Sequence, residues 1–224
     1  LSISGAFTIQ PFIDDNVVCL YNGEIYNYKQ LNSDYTSDGE CLIPLYRKYG
    51  TDFIKHIDGE FAIALVDFNE NKIIISTDVF ATKPLWIALE NNEFGISSYE
   101  SALLRLGFNE SSCIKIKANK TYTLDLQTFN LNFIDEVYKF DITNQSKSHF
   151  DDWTKAFQKS IQKRTFLLRE KVFIGLSSGY DSGAISCELN KQNVNYKAYS
   201  VLGKENNDVL HQRFAKLIEY QEIS

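Results

Sequence analysis

The chain has 224 residues, 44% of them hydrophobic, which is enough for one large globular domain or two modest ones. Its formal charge of −6, with no run of Lys and Arg, argues against a nucleic-acid binder. No stretch approaches the roughly 18 apolar residues of a membrane span, and the start does not resemble a signal peptide, so we expect a cytoplasmic protein without a membrane partner.

Residues 17 to 126 alternate or cluster their apolar side chains in short runs, a pattern typical of a strand-rich segment. The predicted strands are Val17–Tyr21, Glu60–Phe68, Lys72–Asp78, Leu85–Leu89, Glu93–Ser97, Ile114–Ile116 and Thr121–Leu126. Two turns, 69–71 and 90–92, are rich in Asn, which tolerates left-handed backbone angles. Helices are predicted over Tyr28–Leu31 and Asp38–Tyr49, the second because its apolar residues follow one helical face.

From about Ser148 the pattern changes to alternating helices and strands, which predicts a parallel sheet with crossover helices. These elements are Phe150–Arg164, Val172–Leu176, Ser182–Asn190, Tyr196–Val201 and Asp208–Ile218. The polar stretch 141–147 is the predicted linker, so we expect two domains, 1–145 and 146–224. The second is expected to be cut short, with no closing element after the last helix.

Four cysteines, Cys19, Cys41, Cys113 and Cys187, are too scattered for a zinc site or a disulfide framework. Cys19 lies inside a predicted strand and is not taken for a nucleophile. The chain contains no methionine, not even at position 1, so we expect a fragment or a processed product.

A small-residue turn follows the apolar strand Val172–Leu176. Ser177, Ser178 and Gly179 let the backbone approach an anion, and N–H groups at the next helix start could face it. Asp181 would repel phosphates unless a divalent cation such as Mg²⁺ lay between them. An ordinary strand-to-helix connection, with Asp181 or Ser182 as N-cap, explains the motif equally well.

The segment 21–28, with Asn22, Gly23 and Glu24, is a second concentration of polar groups, and as local structure it is a strand that ends in a glycine turn. As chemistry, the Asn22 amide and the Gly23 N–H could donate to one developing oxyanion. Glu24 and Asp38 could bind an α-amino group through charge-assisted hydrogen bonds. The residues alone favour the turn.

The motifs together, in chain order, resemble those of the glutamine-hydrolysing asparagine synthetases. They are Asn22-Gly-Glu-Ile-Tyr-Asn, Ser37-Asp38, Asp58-Gly-Glu-Phe-Ala-Ile-Ala, Asp78 with Lys83-Pro-Leu, and Ser177-Ser-Gly-Tyr-Asp-Ser. The resemblance implies a four-layer αββα amidotransferase domain of the N-terminal-nucleophile type, an α+β fold. A partial α/β parallel-sheet domain, like that of the adenine nucleotide α-hydrolases, would follow it.

The resemblance also implies residue roles. Asn22 and Gly23 would form the oxyanion hole. The glutamine-binding residues would be Leu1, Ser2, Ile3, Asn22, Gly23, Glu24 and Asp38. The ATP-binding residues would be Leu176, Ser177, Ser178, Gly179, Asp181, Ser182 and Val201, with Asp181 as the Mg²⁺ ligand. Ser178 replaces the usual first glycine of the loop, and it would be strained if that position required a positive φ.

The implied reaction amidates aspartate through β-aspartyl-AMP, using ATP, Mg²⁺ and ammonia released from glutamine, and yields asparagine, glutamate, AMP and pyrophosphate. The family's nucleophilic cysteine would precede Leu1, so we expect this piece alone to be inactive. Family members are often dimers, which makes a homodimer a further expectation. Two alternatives stay open: a related amide ligase of the β-lactam synthetase or peptide cyclase type, and an ATP-binding homologue that has lost turnover.

Overall fold

The computed structural model describes residues 6–143, 145–165, 172–201, 203–215 and 219–223, the last without their side chains. The chain divides into two compact units, Leu1–Asn144 and Gln145–Ser224. The division falls within the polar stretch 141–147. Within the described residues, no helix combines the length and the apolar character needed to cross a membrane.

The first unit is built on antiparallel strands. They are β1 Phe12–Asp14, β2 Val17–Ile25, β3 Gly59–Asp67, β4 Lys72–Thr77, β5 Trp86–Glu90, β6 Glu93–Ser97, β7 Cys113–Lys115, β8 Lys120–Asp125 and β9 Leu131–Glu136. A six-stranded sheet has the order β1-β2-β3-β4-β8-β9, and a three-stranded sheet has the order β6-β5-β7. The helices are α1 Tyr28–Leu31, α2 Leu42–Tyr49 and α3 Glu100–Arg105, with 3-10 helices at Asp38–Cys41, Gly50–His56 and Glu110–Ser112.

Apolar side chains join the two sheets of this unit. Ile73 and Ile75 on β4 are fully buried and share a cluster with Ile87 on β5. Ile74, which points to the opposite face of the same strand, is also fully buried. Both faces of β4 are therefore covered, and this strand lies in the core of the unit.

The second strand differs most from its prediction. We expected it to end at Tyr21 in a glycine turn, but β2 continues to Ile25 and pairs with β3 through Gly23↔Phe61 and Ile25↔Gly59. The turn assignment was wrong because pairing with β3 overrides the local preference of Asn-Gly. Gly23 has φ +157°, and a Cβ there would lie 2.0 Å from the Glu60 carbonyl oxygen. Glycine is therefore needed for close strand contact rather than for a turn.

The helix predicted over Asp38–Tyr49 is divided into the 3-10 helix Asp38–Cys41 and α2. Pro44 accounts for the division, because it has no N–H to give the carbonyl four residues earlier and is tolerated only in the first helical turn. The Asn-rich turns are confirmed, with φ of 49° at Asn71, 51° at Asn91 and 59° at Asn92. Sequence reasoning missed β1, α3 and β9.

The second unit alternates helices and strands. Its elements are α4 Asp151–Thr165, β10 Val172–Gly175, α5 Tyr180–Lys191, β11 Tyr196–Val201, α6 Asn207–Phe214 and β12 Glu219–Ile223. The order β10-β11-β12 is parallel throughout, which confirms the predicted parallel pairing. Buried residues from both helices and strands, including Ile174, Leu189 and Phe214, form its core. The expectation of no closing element was wrong, since β12 adds a third strand.

Candidate functional site

A cavity of about 470 Å³ opens in the first unit. Its lining residues are Phe7, Thr8, Ile9, Gln10, Phe12, Tyr21, Asn22, Gly23, Glu24, Ser37 and Asp38. The four predicted site residues of this unit that the structure describes, Asn22, Gly23, Glu24 and Asp38, thus line one cavity. Leu1, Ser2 and Ile3 lie outside the described residues. The volume falls in the range of small-molecule sites, roughly 300–1,000 Å³.

The orientation of the Gly23 N–H follows from its pairing partner. Phe61, opposite Gly23, directs its own N–H to Asp78 Oδ2 and receives the Asp78 N–H at its carbonyl. Phe61 therefore bonds toward β4, and Gly23 belongs to a pair that exchanges no ladder hydrogen bonds. Its N–H must point away from β3.

The same side of β2 carries two further N–H groups that confirm this direction. The Tyr21 N–H donates to Gln10 Oε1 at 2.8 Å, and the Ile25 N–H donates to Asp38 Oδ2 at 2.9 Å. The Gly23 N–H lies between them on the cavity side. The Asn22 amide nitrogen donates to Ser98 Oγ at 3.4 Å, a long bond that a better acceptor could replace.

Asp38 is the best-connected acid of the cavity and is only 7% exposed. Its Oδ2 accepts from the Ile25 N–H and from the Tyr21 hydroxyl. Its Oδ1 accepts from the Gly39 N–H at 3.0 Å. The 3-10 turn that carries Asp38 packs closely, since a Cβ at Gly39 would lie 2.3 Å from the Phe12 ring.

Tyr21 is a cavity residue that sequence reasoning missed. Burial, then the charge of Asp38 beside it, raise the pKa of the Tyr21 hydroxyl far above its ordinary value. The hydroxyl therefore stays protonated and remains a donor. The available signal was its position two residues before Gly23, which places both on one face of the strand.

The second unit places the predicted phosphate loop between β10 and α5. Ser182 Oγ accepts from the Ser177 N–H at 3.1 Å and lies 2.8 Å from Ser177 Oγ, so it fastens the loop to the first turn of the helix. Helix α5 begins at Tyr180 with Gly179 as N-cap, and no side chain caps it. The alternative of Asp181 or Ser182 as N-cap was wrong.

Ser178 does not have the strain that was considered for it. It is not among the described residues with positive φ, and the next residue, Gly179, has φ −70°. The loop therefore accepts serine at position 178 without a left-handed backbone. Leu176 is buried, Asp181 is exposed in the first turn of α5, and Val201 is 70% exposed at the end of β11.

The Glu205 carboxylate accepts hydrogen bonds from both Ser178 donors of this loop. Glu205 Oε2 accepts from the Ser178 N–H at 2.5 Å and from the Ser178 hydroxyl. These two hydrogen bonds hold the pKa of Glu205 below its usual range. Sequence reasoning missed this contact because it joins residues 27 positions apart.

Arg213 on α6 supports the loop from behind. Its Nη1 donates to the carbonyls of Ser177 and, at 2.9 Å, of Gly179. A Cβ at Gly183 would lie 2.5 Å from its Nη2, so the guanidinium occupies the space that glycine leaves. Among the described residues, no group of three or more His, Cys, Asp or Glu is placed to hold a metal ion.

Comparison with known proteins identifies a family and several relatives of this chain. Residues 1–155 match the glutamine amidotransferase domain family. The chain is 29% identical over 213 residues to a putative glutamine-hydrolysing asparagine synthetase of Methanocaldococcus jannaschii, covering 83% of this chain and 38% of that protein. It is 28% identical over 228 residues to the Gallus gallus asparagine synthetase, covering 86% and 40%. It is 31% identical over 140 residues to amidase chry2 of Gibberella zeae, covering 58% and 20%. The chain thus spans between a fifth and two fifths of these relatives.

Proposed function

Because the chain belongs to the glutamine amidotransferase domain family, we propose that it forms the glutamine site of a longer amidotransferase, in which glutamine is hydrolysed to glutamate and ammonia. The observation that carries the proposal is the convergence of the Asn22 amide, the Gly23 N–H and the Asp38 carboxylate on one cavity. The Asn22 amide and the Gly23 N–H could both donate to a developing oxyanion, and the Asp38 carboxylate could accept from an α-amino group, so these groups meet two demands of glutamine as a substrate.

Asn22 and Gly23 would stabilise the transition state. When a nucleophile attacks the glutamine side-chain carbonyl, the negative charge that develops on its oxygen would be held by the Asn22 Nδ2–H and the Gly23 N–H. Each such donor contributes about 10²–10³-fold to the rate. Because the Gly23 N–H is fixed by the pairing of β2 with β3, it needs no rearrangement during the reaction.

Asp38 and Glu24 would bind the α-amino group, since a partly buried carboxylate gives a charge-assisted hydrogen bond to an ammonium ion. The nucleophile would come from outside the described residues. None of the four cysteines, all of which the structure describes, lines the cavity. Burial raises the pKa of both Cys19 and Cys41 to about 12, which keeps these thiols protonated and unreactive.

The finer proposal is an asparagine synthetase. Ammonia from this cavity would amidate aspartate after ATP and Mg²⁺ convert it to β-aspartyl-AMP. The similarity to asparagine synthetases over more than 80% of this chain supports the proposal. So does the Ser178 donor pair, which already holds an anion, the Glu205 carboxylate, and could hold a phosphate oxygen. We further infer the four-layer αββα arrangement for the first domain and a nucleotide-binding sheet for the second.

The nucleotide roles extend this proposal to individual residues. Leu176, Ser177, Gly179, Ser182 and Val201 would surround the nucleotide at the carboxyl ends of β10 and β11, the usual ligand edge of a parallel sheet. Asp181, exposed beside the loop, would reach the phosphates through Mg²⁺. The remaining member of the predicted set, Ser178, would give up Glu205 and bind phosphate instead.

The test is an assay of the full-length protein that contains this chain. We expect glutamine- and ATP-dependent formation of asparagine with equimolar AMP, and a drop of about 10²-fold in glutamine hydrolysis for Asn22→Ala. Release of glutamate without any AMP would refute the asparagine synthetase assignment and leave an amide hydrolase. AMP formation with amidation of a carboxylate other than that of aspartate would favour a related ligase.

A further inference from the structure

We propose that Tyr21 is a positioning residue that makes the cavity selective for substrates with an α-amino group, by holding one oxygen of Asp38 so that the other faces the substrate. The inference rests on the proposed glutamine site and deepens it. Tyr21 is not among the residues to which the resemblance gives a role.

The Tyr21 hydroxyl joins the two halves of the cavity. It donates to Asp38 Oδ2, and it lies 2.8 Å from the carbonyl oxygen of Gly23. Asp38 belongs to the 3-10 turn, whereas Gly23 belongs to β2 and would supply an oxyanion donor. One hydroxyl therefore fixes the distance between the group that would bind the α-amino nitrogen and the strand that would bind the reacting carbonyl.

Counting acceptor sites shows which Asp38 oxygen stays available. A carboxylate oxygen has two lone pairs, and those of Oδ2 are taken by the Tyr21 hydroxyl and the Ile25 N–H. Oδ1 accepts from the Gly39 N–H and, at the long distance of 3.5 Å, from Ser37 Oγ. Ser37 Oγ also lies 2.9 Å from Thr8 Oγ1. The weakly held acceptor position of Oδ1 is the one that an ammonium group could take.

Removing the hydroxyl frees this arrangement. In Tyr21→Phe, Oδ2 would lose one of its two donors, and the carboxylate, only 7% exposed, could turn Oδ2 toward the substrate or accept water. The orientation that favours the α-amino group would be lost. Because the ring remains, the packing around β2 should change little.

The control variant is Tyr46→Phe, which removes a similar tyrosine hydroxyl elsewhere in the same unit. The Tyr46 hydroxyl donates to Asp67 Oδ2 at 2.6 Å, which is also a buried tyrosine–carboxylate pair, and neither residue lines the cavity. Any loss of activity that follows only from destabilising the unit should appear equally in both variants.

The experiment compares glutamine with 4-carbamoylbutanoate, which has the same amide and carboxylate but no α-amino group. For Tyr21→Phe in the full-length protein we expect the KM for glutamine to rise about ten-fold with kcat within about two-fold, and no change with 4-carbamoylbutanoate. In an Asp38→Asn background, Tyr21→Phe should add no further loss. Tyr46→Phe should leave both substrates unchanged.

Three results would overturn the role of Tyr21: an equal change with both substrates, an equal change in Tyr46→Phe, or an unaltered KM for glutamine. Calorimetric binding of the two compounds separates this inference from the proposed reaction. If the protein binds glutamine without hydrolysing it, the proposed reaction is refuted. A Kd for glutamine that rises in Tyr21→Phe, with an unchanged Kd for 4-carbamoylbutanoate, still supports the positioning role.

Discussion

Phe61 and Asp78 are joined by two hydrogen bonds at the end of the β3–β4 pair: the Phe61 N–H donates to Asp78 Oδ2 at 3.1 Å, and the Asp78 N–H donates to the Phe61 carbonyl at 2.9 Å. This pair commits the backbone of Phe61 to the β4 side. It thereby leaves the facing residue on β2, Gly23, with its N–H directed to the cavity. The direction of the Gly23 N–H, the proposed oxyanion donor, therefore depends on the Asp78 carboxylate, although Asp78 does not line the cavity.

Asp78→Ala should therefore affect both stability and activity. Asp78 is 3% exposed and also accepts from the N–H groups of Phe80 and Thr82. Its loss would leave several N–H groups unsatisfied, and we expect about 3 kcal/mol of destabilisation in urea unfolding, with reduced glutamine hydrolysis. Asp125→Ala is the control, because Asp125 accepts from Gln127 and Thr128 in an exposed hairpin turn. Equal losses in the two variants would contradict the special place of Asp78.

Gly23→Ala should displace the proposed oxyanion donor, the backbone N–H of residue 23. The added Cβ would lie 2.0 Å from the Glu60 carbonyl oxygen, so β2 and β3 must separate. We expect kcat for glutamine hydrolysis to fall at least about 10²-fold. Gly50→Ala separates contact from backbone strain, because Gly50 has φ +58° but no atom within 4 Å of the added Cβ. It should lose about 1–3 kcal/mol of stability and retain activity. Full activity in Gly23→Ala would mean that the proposed oxyanion donor does not depend on the close contact of β2 with β3.

Glu205→Gln should strengthen nucleotide binding. Glu205 occupies the Ser178 N–H and hydroxyl, which a phosphate must take over, and an amide oxygen is a weaker competitor than a carboxylate. We expect the Kd for ATP with Mg²⁺, measured by calorimetry, to fall about three- to ten-fold. Asp208→Asn makes the same charge change in the first turn of α6 and should leave the Kd unaltered. A higher Kd in Glu205→Gln would mean that Glu205 helps to bind the nucleotide.

Asp181→Ala should separate the two proposed activities. If the exposed carboxylate binds Mg²⁺ at the phosphates, AMP formation is lost while glutamine hydrolysis continues, since the cavity lies in the other unit. Asp208→Ala, which removes another exposed carboxylate of the second unit, should retain both. Both products are measured in one reaction by chromatography. A parallel loss of glutamate and AMP would show that the two sites do not act independently.

Asp135 should give the stability of the protein a component that depends on acid pH. The hydrogen bond from Lys55, then that from the Glu136 N–H, lower the pKa of Asp135 from 3.8 to about 2. A lowered folded-state pKa stabilises the protein at higher pH, so the contribution is full above pH 3.8 and is lost as the pH falls to about 2. Asp135→Asn and Lys55→Gln should each flatten this part of the denaturation profile. An unchanged slope in both would refute the pairing.

The sequence pattern predicted most accurately the strands whose limits are set by residues close together in the chain. The strand Glu93–Ser97 agrees with its prediction at both ends, and β4 differs by one residue. Alternating apolar residues mark the first and a continuous isoleucine run marks the second, and a left-handed Asn turn precedes each of them. Gly23 shows where this fails. An Asn-Gly pair favours a turn in isolation, and the pairing of β2 with β3 on both sides of Gly23 makes this segment a strand instead.

The residues of the site could be predicted from the sequence, but their hydrogen-bond partners could not. The resemblance to the asparagine synthetases implied Asn22, Gly23, Glu24 and Asp38 as site residues, and all four line the cavity. Their roles stay predictions. Tyr21 and Glu205 were missed because their partners lie 17 and 27 residues away, and nothing in the local pattern states which carboxylate a tyrosine or a serine will meet. Such pairs are set by the tertiary fold.

The Arg213 guanidinium, which fills the space beside Gly183 and holds two loop carbonyls, also bears on the order of assembly. The loop and its support are separated by 34 to 36 residues of chain, so the loop motif is synthesised long before the side chain that shapes it. A growing chain that had not yet produced α6 would carry the complete loop sequence without this brace. Those two carbonyls would then gain their cationic partner only after the helix has docked.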